Sequence, residues 1–189
     1  MKTDRTKEWI AETMKKLMVN KNIDKIRVSE ICKEARIGRP TFYYHFKDKY
    51  DLVAWIFFQN AFATDVISVE SAAFSMKKMK EGFIFYKRAF EDISQNSLWR
   101  YLPEYFTQRY TREAEELLGE KITDPQLLFS IRLYCHGASF LAREWILKDD
   151  SMPAETIVKF MFASMPEALK KIYFGNGTAS GKDGRTSFS

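Results

Sequence analysis

Helical periodicity runs through almost the whole sequence, and signals for β-strands are nearly absent. Before the last fifteen residues, no alternating apolar run is bounded by an Asn-Gly or Gly-Gly turn. Apolar residues recur instead at helical spacing, as Ile10, Met14, Leu17 and Met18 do near the start. The sequence therefore predicts an all-α protein.

The helical pattern also predicts where the helices begin and end. A first helix is followed by a break at residues 20–24, and further helices are predicted at 28–35, 39–46, 50–71, 75–92, 98–109, 110–119, 124–148 and 154–174. Pro103 is expected to bend or divide its segment, whereas Asp124 and Pro125 form a typical helix start. The Gly/Ser-rich residues 175–189 are expected to be a flexible tail.

Positive charge is concentrated in the first quarter of the chain. The formal net charge of +5 divides into +6 for residues 1–50 and −1 for residues 51–189. Such a basic segment is typical of a surface that binds a polyanion, with nucleic acid favoured over a membrane surface. A solvated lysine-rich face gives the same charge, so charge alone leaves both interpretations open.

The sequence lacks the residues that several classes of function require. Only four glycines precede residue 175, so neither a P-loop nor a dinucleotide fingerprint can be assembled. The two histidines and two cysteines have no metal-ligand spacing, and no catalytic constellation is evident. We expect no metal, cofactor or enzymatic activity. Without a secretory leader or an apolar run of membrane-spanning length, the protein is expected to be cytoplasmic.

The helix at 39–46 has the two faces that a DNA-reading helix needs. Phe42 and Phe46 lie four residues apart and would pack inward, whereas Arg39 and Tyr43 share another face. Because the arginine fork can bond guanine O6 and N7 together, Arg39 is the candidate for base readout. Hydroxyl and imidazole groups on the same helix are candidate phosphate donors, as is the lysine that follows: Thr41, Tyr43, Tyr44, His45 and Lys49.

The stretch from Ala35 to Leu52, with Thr-Phe-Tyr-Tyr-His-Phe at its centre, resembles the signature of the TetR/AcrR family of transcriptional regulators. This resemblance implies base contacts at Ser29, Arg39 and Pro40 and backbone contacts at Thr41, Tyr43, His45 and Lys49. The chain departs from the family pattern where Arg36 replaces a glycine that usually ends the second helix.

The resemblance also implies a domain organisation and a partner. Residues 1–49 would be a helix-turn-helix DNA-binding domain, and residues 50–174 a helical domain that binds an effector and dimerises. The implied function is that of a ligand-responsive repressor that binds a palindromic operator in double-stranded DNA as a homodimer. A change in the separation of the two heads would release the operator.

Two sets of residues in the helical body are candidates for these roles. Small side chains among large ones would let two helices approach closely in a dimer interface, although intramolecular packing uses them too: Gly137, Phe140, Leu141, Trp145, Phe160, Met161, Ser164 and Met165. Polar groups among aromatic residues are candidate ligand contacts: Gln59, Asn60, Tyr86, Tyr105, Tyr134 and His136.

An alternative partner for the body comes from a looser resemblance. The segment from Phe140 to Asp150 and the Ser-Met-Pro-Ala-Glu that follows are similar to a subgroup that includes the activator of dihydroxyacetone kinase genes. In that subgroup a kinase-like protein takes the place of a free ligand. The body could therefore dock a protein co-regulator instead of a small molecule.

Overall fold

The computed structural model describes residues 2–61, 66–148 and 151–175, without the side chains of residues 2–4, 60 and 61. Its regular secondary structure within these ranges is helical, which confirms the all-α prediction. The prediction of a flexible tail falls on residues 176–189, which lie outside the described residues.

The N-terminal part consists of three helices around a small apolar core. Helix α1 (Lys2–Asn20) is followed by a 3-10 turn (Ile23–Lys25), α2 (Val28–Ala35) and α3 (Arg39–His45). Met14, Ile31 and Phe42 are fully buried where the three helices meet. The break between helices that was predicted at residues 20–24 is present. Both short helices are present too, although α3 is one residue shorter than predicted.

The remaining helices form the body of the molecule. They are α4 (Lys49–Ala61), α5 (Val69–Glu81), α6 (Phe83–Glu91), α7 (Leu98–Leu118), α8 (Pro125–Leu147), α9 (Ala154–Ala163) and α10 (Glu167–Phe174). Helix α7 packs along α8, α5 packs against α9, and α6 contacts both α1 and α8. As predicted, Asp124 caps α8, its carboxylate accepting a hydrogen bond of 2.9 Å from the Gln126 amide.

Some predicted boundaries in the body are wrong for identifiable reasons. The helix predicted at 75–92 is divided at Gly82, where a Cβ atom would lie 2.9 Å from the Tyr86 ring. The helix predicted at 154–174 is divided before Pro166, which has no amide hydrogen to continue α9. By contrast, α7 passes through Pro103 without a break. A proline in the second turn costs few hydrogen bonds, and packing along α8 supports the rest of the helix.

Hydrogen bonds between elements fix the C-terminal helices to the body. The Tyr173 hydroxyl donates to the Tyr110 carbonyl at 2.6 Å and holds α10 against α7. The Trp145 indole donates to the Met152 carbonyl at 2.9 Å and holds the segment before α9 against the end of α8. The body is therefore a connected scaffold, on which α8 and α9 can present a defined outer face.

Candidate DNA-binding surface and effector cavities

Helix α3 is held in place by its apolar side and by the end of α2. Phe42 and Phe46 are buried, with their ring centroids 5.9 Å apart, and Phe46 also packs on Trp55 of α4. The Trp9 indole donates to the Ala35 carbonyl at 2.8 Å and ties α1 to the end of α2. These contacts fix the side of α3 that faces solvent.

Most of the residues predicted to contact DNA lie on this solvent-facing side. On α3, Arg39, Pro40, Thr41, Tyr43 and Tyr44 are exposed. Ser29 is exposed on α2, and His45 is half-buried beside the Tyr44 and Phe46 rings. The arrangement combines a guanidinium fork, hydroxyl donors and aromatic rings on one short helix, which is suited to the major groove.

Lys49 has a structural role that differs from the predicted phosphate contact. Its ammonium donates to three backbone carbonyls in and beside the 3-10 turn, those of Ile23 at 2.6 Å, Asp24 at 3.1 Å and Ile26 at 2.8 Å. An ammonium has three donors, so these bonds use all of them. Partial burial lowers the pKa of Lys49, while nearby carboxylates oppose that shift. Lys49 therefore anchors the start of α4 to the N-terminal domain.

We expect Lys49→Met to destabilise the protein by about 1–2 kcal/mol, because the carbonyls that it holds lose their donor while the aliphatic stem is kept. Lys47→Met is the matched control, since its exposed side chain has no such anchor. Urea unfolding should show a loss of stability for the Lys49 variant alone. Equal stability of the two variants would contradict the structural role.

Arg36 adopts the left-handed conformation that normally favours glycine. With φ of 54° and ψ of 45°, it is the one non-glycine residue with positive φ in the described part of the chain. Its amide donates to the Cys32 and Lys33 carbonyls and thereby closes α2. The missing glycine noted in the sequence therefore leaves a strained arginine at this turn.

Replacing this residue by glycine should relieve the strain. We expect Arg36→Gly to stabilise the protein by about 0.5–1 kcal/mol, as the gain at positive φ exceeds the entropy that glycine adds to the unfolded chain. Arg36→Ala provides the control, because alanine also removes the charge but keeps the Cβ atom that disfavours positive φ. Thermal unfolding of both variants tests the difference, and a gain for Arg36→Ala as large as that for Arg36→Gly would show that strain is not the cause.

The body contains an apolar cavity of about 120 Å³ between α5, α7, α8 and α9, here called the inner cavity. An apolar cavity of about 150 Å³ is known to hold benzene in another protein, so this smaller space suits a molecule no larger than benzene. Its walls are mainly apolar side chains, among them Phe57, Met76, Leu102 and Phe162. The polar groups that also line it are Ser68, Ser71, Ser75, Arg109, Tyr110, Tyr134 and Ser139.

Of the predicted ligand residues whose side chains the structure describes, Tyr134 alone lines the inner cavity. Burial raises the pKa of its phenol above the ordinary value, so the group stays protonated. His136 is exposed and lines a second, outer cavity that is described below. The side chain of Asn60 lies outside the described residues.

The other three predicted ligand residues serve elsewhere. Tyr86 is buried against Phe57, with the ring centroids 5.7 Å apart, and belongs to the core. Tyr105 packs on Phe58 with the ring centroids 4.5 Å apart, and Gln59 is exposed beside α1. A polar side chain among aromatic residues was therefore too weak a signal to find the cavity wall.

Sequence reasoning missed Arg109, the cation of the inner cavity. Arg109 is buried although it carries a guanidinium, and it lies on α7 seven residues after Leu102 and three after Phe106. These positions share one helical face, so a charged residue in an apolar stripe was the available signal. Cys135 lies in the same wall, and burial raises the pKa of its thiol to about 12, which makes it unreactive near neutral pH.

The residues predicted for a dimer interface divide into two groups. Gly137, Phe140, Leu141, Phe160 and Ser164 are exposed, and Met161 is half-buried. Trp145 and Met165 are buried in the core of the same chain, and they cannot also contact a second copy. They are therefore removed from the candidate interface.

Other classes of site find no support in the described residues. No group of three or more His, Cys, Asp or Glu side chains there could hold a metal ion. Across residues 2–61, 66–148 and 151–175, no helix has the length and hydropathy that crossing a bilayer requires.

The three-helix arrangement and the exposed face of α3 define a helix-turn-helix DNA-binding domain. Residues 10–56 match the family model described as "Bacterial regulatory proteins, tetR family". This match lies within the N-terminal part of the chain and confirms the resemblance seen in the sequence.

Two DhaS proteins are also similar to this chain. The HTH-type dhaKLM operon transcriptional activator DhaS of Lactococcus lactis subsp. lactis (strain IL1403) is 33% identical over 93 residues, which are 45% of this chain and 49% of that relative. The alignment thus spans about half of the relative. A solved structure, the dihydroxyacetone kinase operon activator DhaS, has the same fold, with a TM-score of 0.57 and 23% identity over 85% of this chain and 96% of that one.

Proposed function

We propose that the chain is a homodimeric transcriptional regulator that acts in the cytoplasm on a palindromic operator. The observation that carries this proposal is the exposed face of α3, with Arg39 and Tyr43 on the side opposite the buried Phe42. In each subunit α3 enters one major groove, and Arg39 reads a guanine while neighbouring hydroxyls bind phosphates.

The dimer rests on an apolar face of α8 and α9, which we call the α8–α9 face. Its large apolar side chains are each exposed by about half or more: Phe129, Leu133, Phe140, Leu141 and Phe160. Phe129, Leu133 and Phe140 recur on α8 at intervals of four and seven residues, and Leu141 lies beside that stripe. Large apolar side chains left exposed along a helix are typical of an interface between subunits.

The glycine at position 137 is a second argument for this interface, because nothing within the subunit requires it. A Cβ atom at this position would meet no atom of the chain within 4 Å, so the subunit itself does not require a glycine here. Glycine in the interior of a helix costs about 0.5–1 kcal/mol relative to alanine. The close approach of a helix from a second copy would account for this cost.

A small molecule in the inner cavity is the effector that the geometry favours. The cavity lies in the body, and Phe57 of α4 forms part of its wall. Of the two effectors considered from the sequence, a small molecule has this cavity in its favour, whereas no described surface favours a kinase-like protein specifically. Both DhaS proteins are named as activators, while the family resemblance predicts a repressor.

The test begins with selection of duplexes from random-sequence DNA, followed by titration of the selected duplex by fluorescence anisotropy. We expect an inverted repeat, a Kd that rises steeply with salt, and a complex with two subunits. Uniform affinity for all duplexes would contradict the proposal. A reporter gene placed behind the selected operator then gives the sign of regulation, and metabolite screening by thermal shift tests the cavity.

A further inference from the structure

A second cavity of about 290 Å³ lies beside the inner one and is here called the outer cavity. Its lining residues come from the end of α6, the start of α7 and the middle of α8: Phe90, Trp99, Leu102, Pro103, His136, Ser139 and Phe140. Phe90, Leu102 and Ser139 line both cavities and form the wall between them. His136 and Phe140 are exposed, so the outer cavity opens beside the α8–α9 face.

Two buried hydrogen-bonding atoms in this lining have no partner among the described residues. They are the indole Nε1 of Trp99 on α7 and the hydroxyl Oγ of Ser139 on α8. Buried polar atoms in native proteins are nearly always paired, so two unpaired atoms in one cavity wall indicate a missing acceptor. An indole N–H can only donate and a hydroxyl can donate too, so a ligand oxygen would satisfy both.

The charges around the cavity favour a negatively charged oxygen. The guanidinium carbon of Arg143 lies 4.7 Å from the centre of the Trp99 ring, and Arg143 Nε donates to the Phe90 carbonyl at 3.0 Å. A cation on the ring face makes the indole N–H a stronger donor. Among the described residues, the lining contains no Asp or Glu that would repel an anion.

We propose that the outer cavity binds a small organic carboxylate. Its oxygens accept hydrogen bonds from Trp99 and Ser139, and its apolar part lies against Leu102, Pro103 and Phe140. A volume of about 290 Å³ is close to the lower end of ligand pockets, roughly 300 Å³, and suits a molecule of about the size of benzoate. The site is separate from the inner cavity, and its occupation does not require DNA.

The indole N–H resonances of the full-length protein report directly on this site. Four tryptophans give four such resonances in a ¹⁵N correlation spectrum, and Trp99→Phe identifies the one from Trp99. Titration with sodium benzoate should move the Trp99 resonance downfield in a saturable way. Benzyl alcohol has the same ring without the carboxylate, and it should bind at least about 10-fold more weakly.

Variants of two serines on α8 separate a specific contact from a general effect. We expect Ser139→Ala to weaken benzoate binding about 5- to 10-fold, through the loss of one hydrogen bond to a charged oxygen. Ser130→Ala is the matched control and should leave the affinity unchanged, because the Ser130 hydroxyl donates to the Gln126 carbonyl in its own helix. Circular dichroism checks that both variants keep their helical content.

Three results would overturn the proposal. The first is the absence of a saturable shift of the Trp99 resonance at benzoate concentrations up to about 10 mM, where even weak binding would be seen. The second is equal affinity for benzoate and benzyl alcohol, or for the wild type and Ser139→Ala. The third is a Trp99 indole N–H that is already hydrogen-bonded before benzoate is added and whose resonance does not move on its addition. This result would mean that a partner subunit fills the cavity. All are measured without DNA, so they leave the operator proposal untouched.

Discussion

Leu133→Glu should convert the protein from a dimer to a folded monomer and lower its operator affinity by at least about 100-fold. Leu133 lies in the α8–α9 face and is largely exposed in the subunit, so the monomer has no reason to unfold. In a two-fold symmetric dimer the substitution buries two uncompensated carboxylates, at a cost of several kcal/mol. Each monomer then keeps only half of the DNA contacts.

Light scattering coupled to size exclusion measures the mass, and fluorescence anisotropy measures the affinity for the selected operator. Ile93→Glu is the matched control, because Ile93 is also an exposed apolar residue but lies between α6 and α7. It should remain dimeric with unchanged affinity. A dimeric Leu133→Glu variant would show that subunits associate through another surface.

Arg39→Ala should remove most of the sequence preference of the protein while leaving the salt dependence of DNA binding unchanged. A bidentate contact between arginine and guanine contributes about 1–3 kcal/mol to discrimination. With one head per subunit the dimer loses about 2–6 kcal/mol, or at least about 30-fold in operator affinity. Affinity for unrelated duplexes should change little, since phosphate contacts supply it.

Two further variants distinguish a base contact from a charge effect. Arg39→Lys keeps the charge but loses the fork, and it should behave like Arg39→Ala on the operator. Arg112→Ala removes one exposed charge from α7 and should preserve specificity. If Arg39 instead bound a phosphate, its removal would lower the slope of log affinity against log salt by about 1 for each head.

The helices of the N-terminal domain were predictable from the sequence because they are short and the spacing of their apolar residues is clear. The spacing of Phe42 and Phe46 identified the buried side of α3, and the exposed side followed from it. The body was less predictable, because helical periodicity continues through the true breaks. Gly82 lies between two helices, where a Cβ atom would meet the Tyr86 ring, and that ring is placed by its contact with Phe57 of α4.

The roles of single side chains in the candidate site were also difficult to predict from the sequence, because they depend on tertiary packing. Lys49 looked like a phosphate contact because it is a lysine next to the reading helix, and nothing local indicates the carbonyls of residues 23–26. Arg109 and Trp99 were missed because their roles depend on which helices enclose the cavities. Trp145 and Met165 were assigned to the interface although the chain buries them in its own core.

The Lys49 anchor allows α4 to transmit a movement of the body to the N-terminal domain. The anchor holds the start of α4 to the N-terminal domain, and Phe57, eight residues later, lies in the wall of the inner cavity. Eight residues of α-helix span about 12 Å, so a tilt of about 10° displaces one end relative to the other by about 2 Å. A molecule that enlarges the inner cavity by moving Phe57 would therefore shift the DNA-reading helix by a distance comparable to the tolerance of a hydrogen bond.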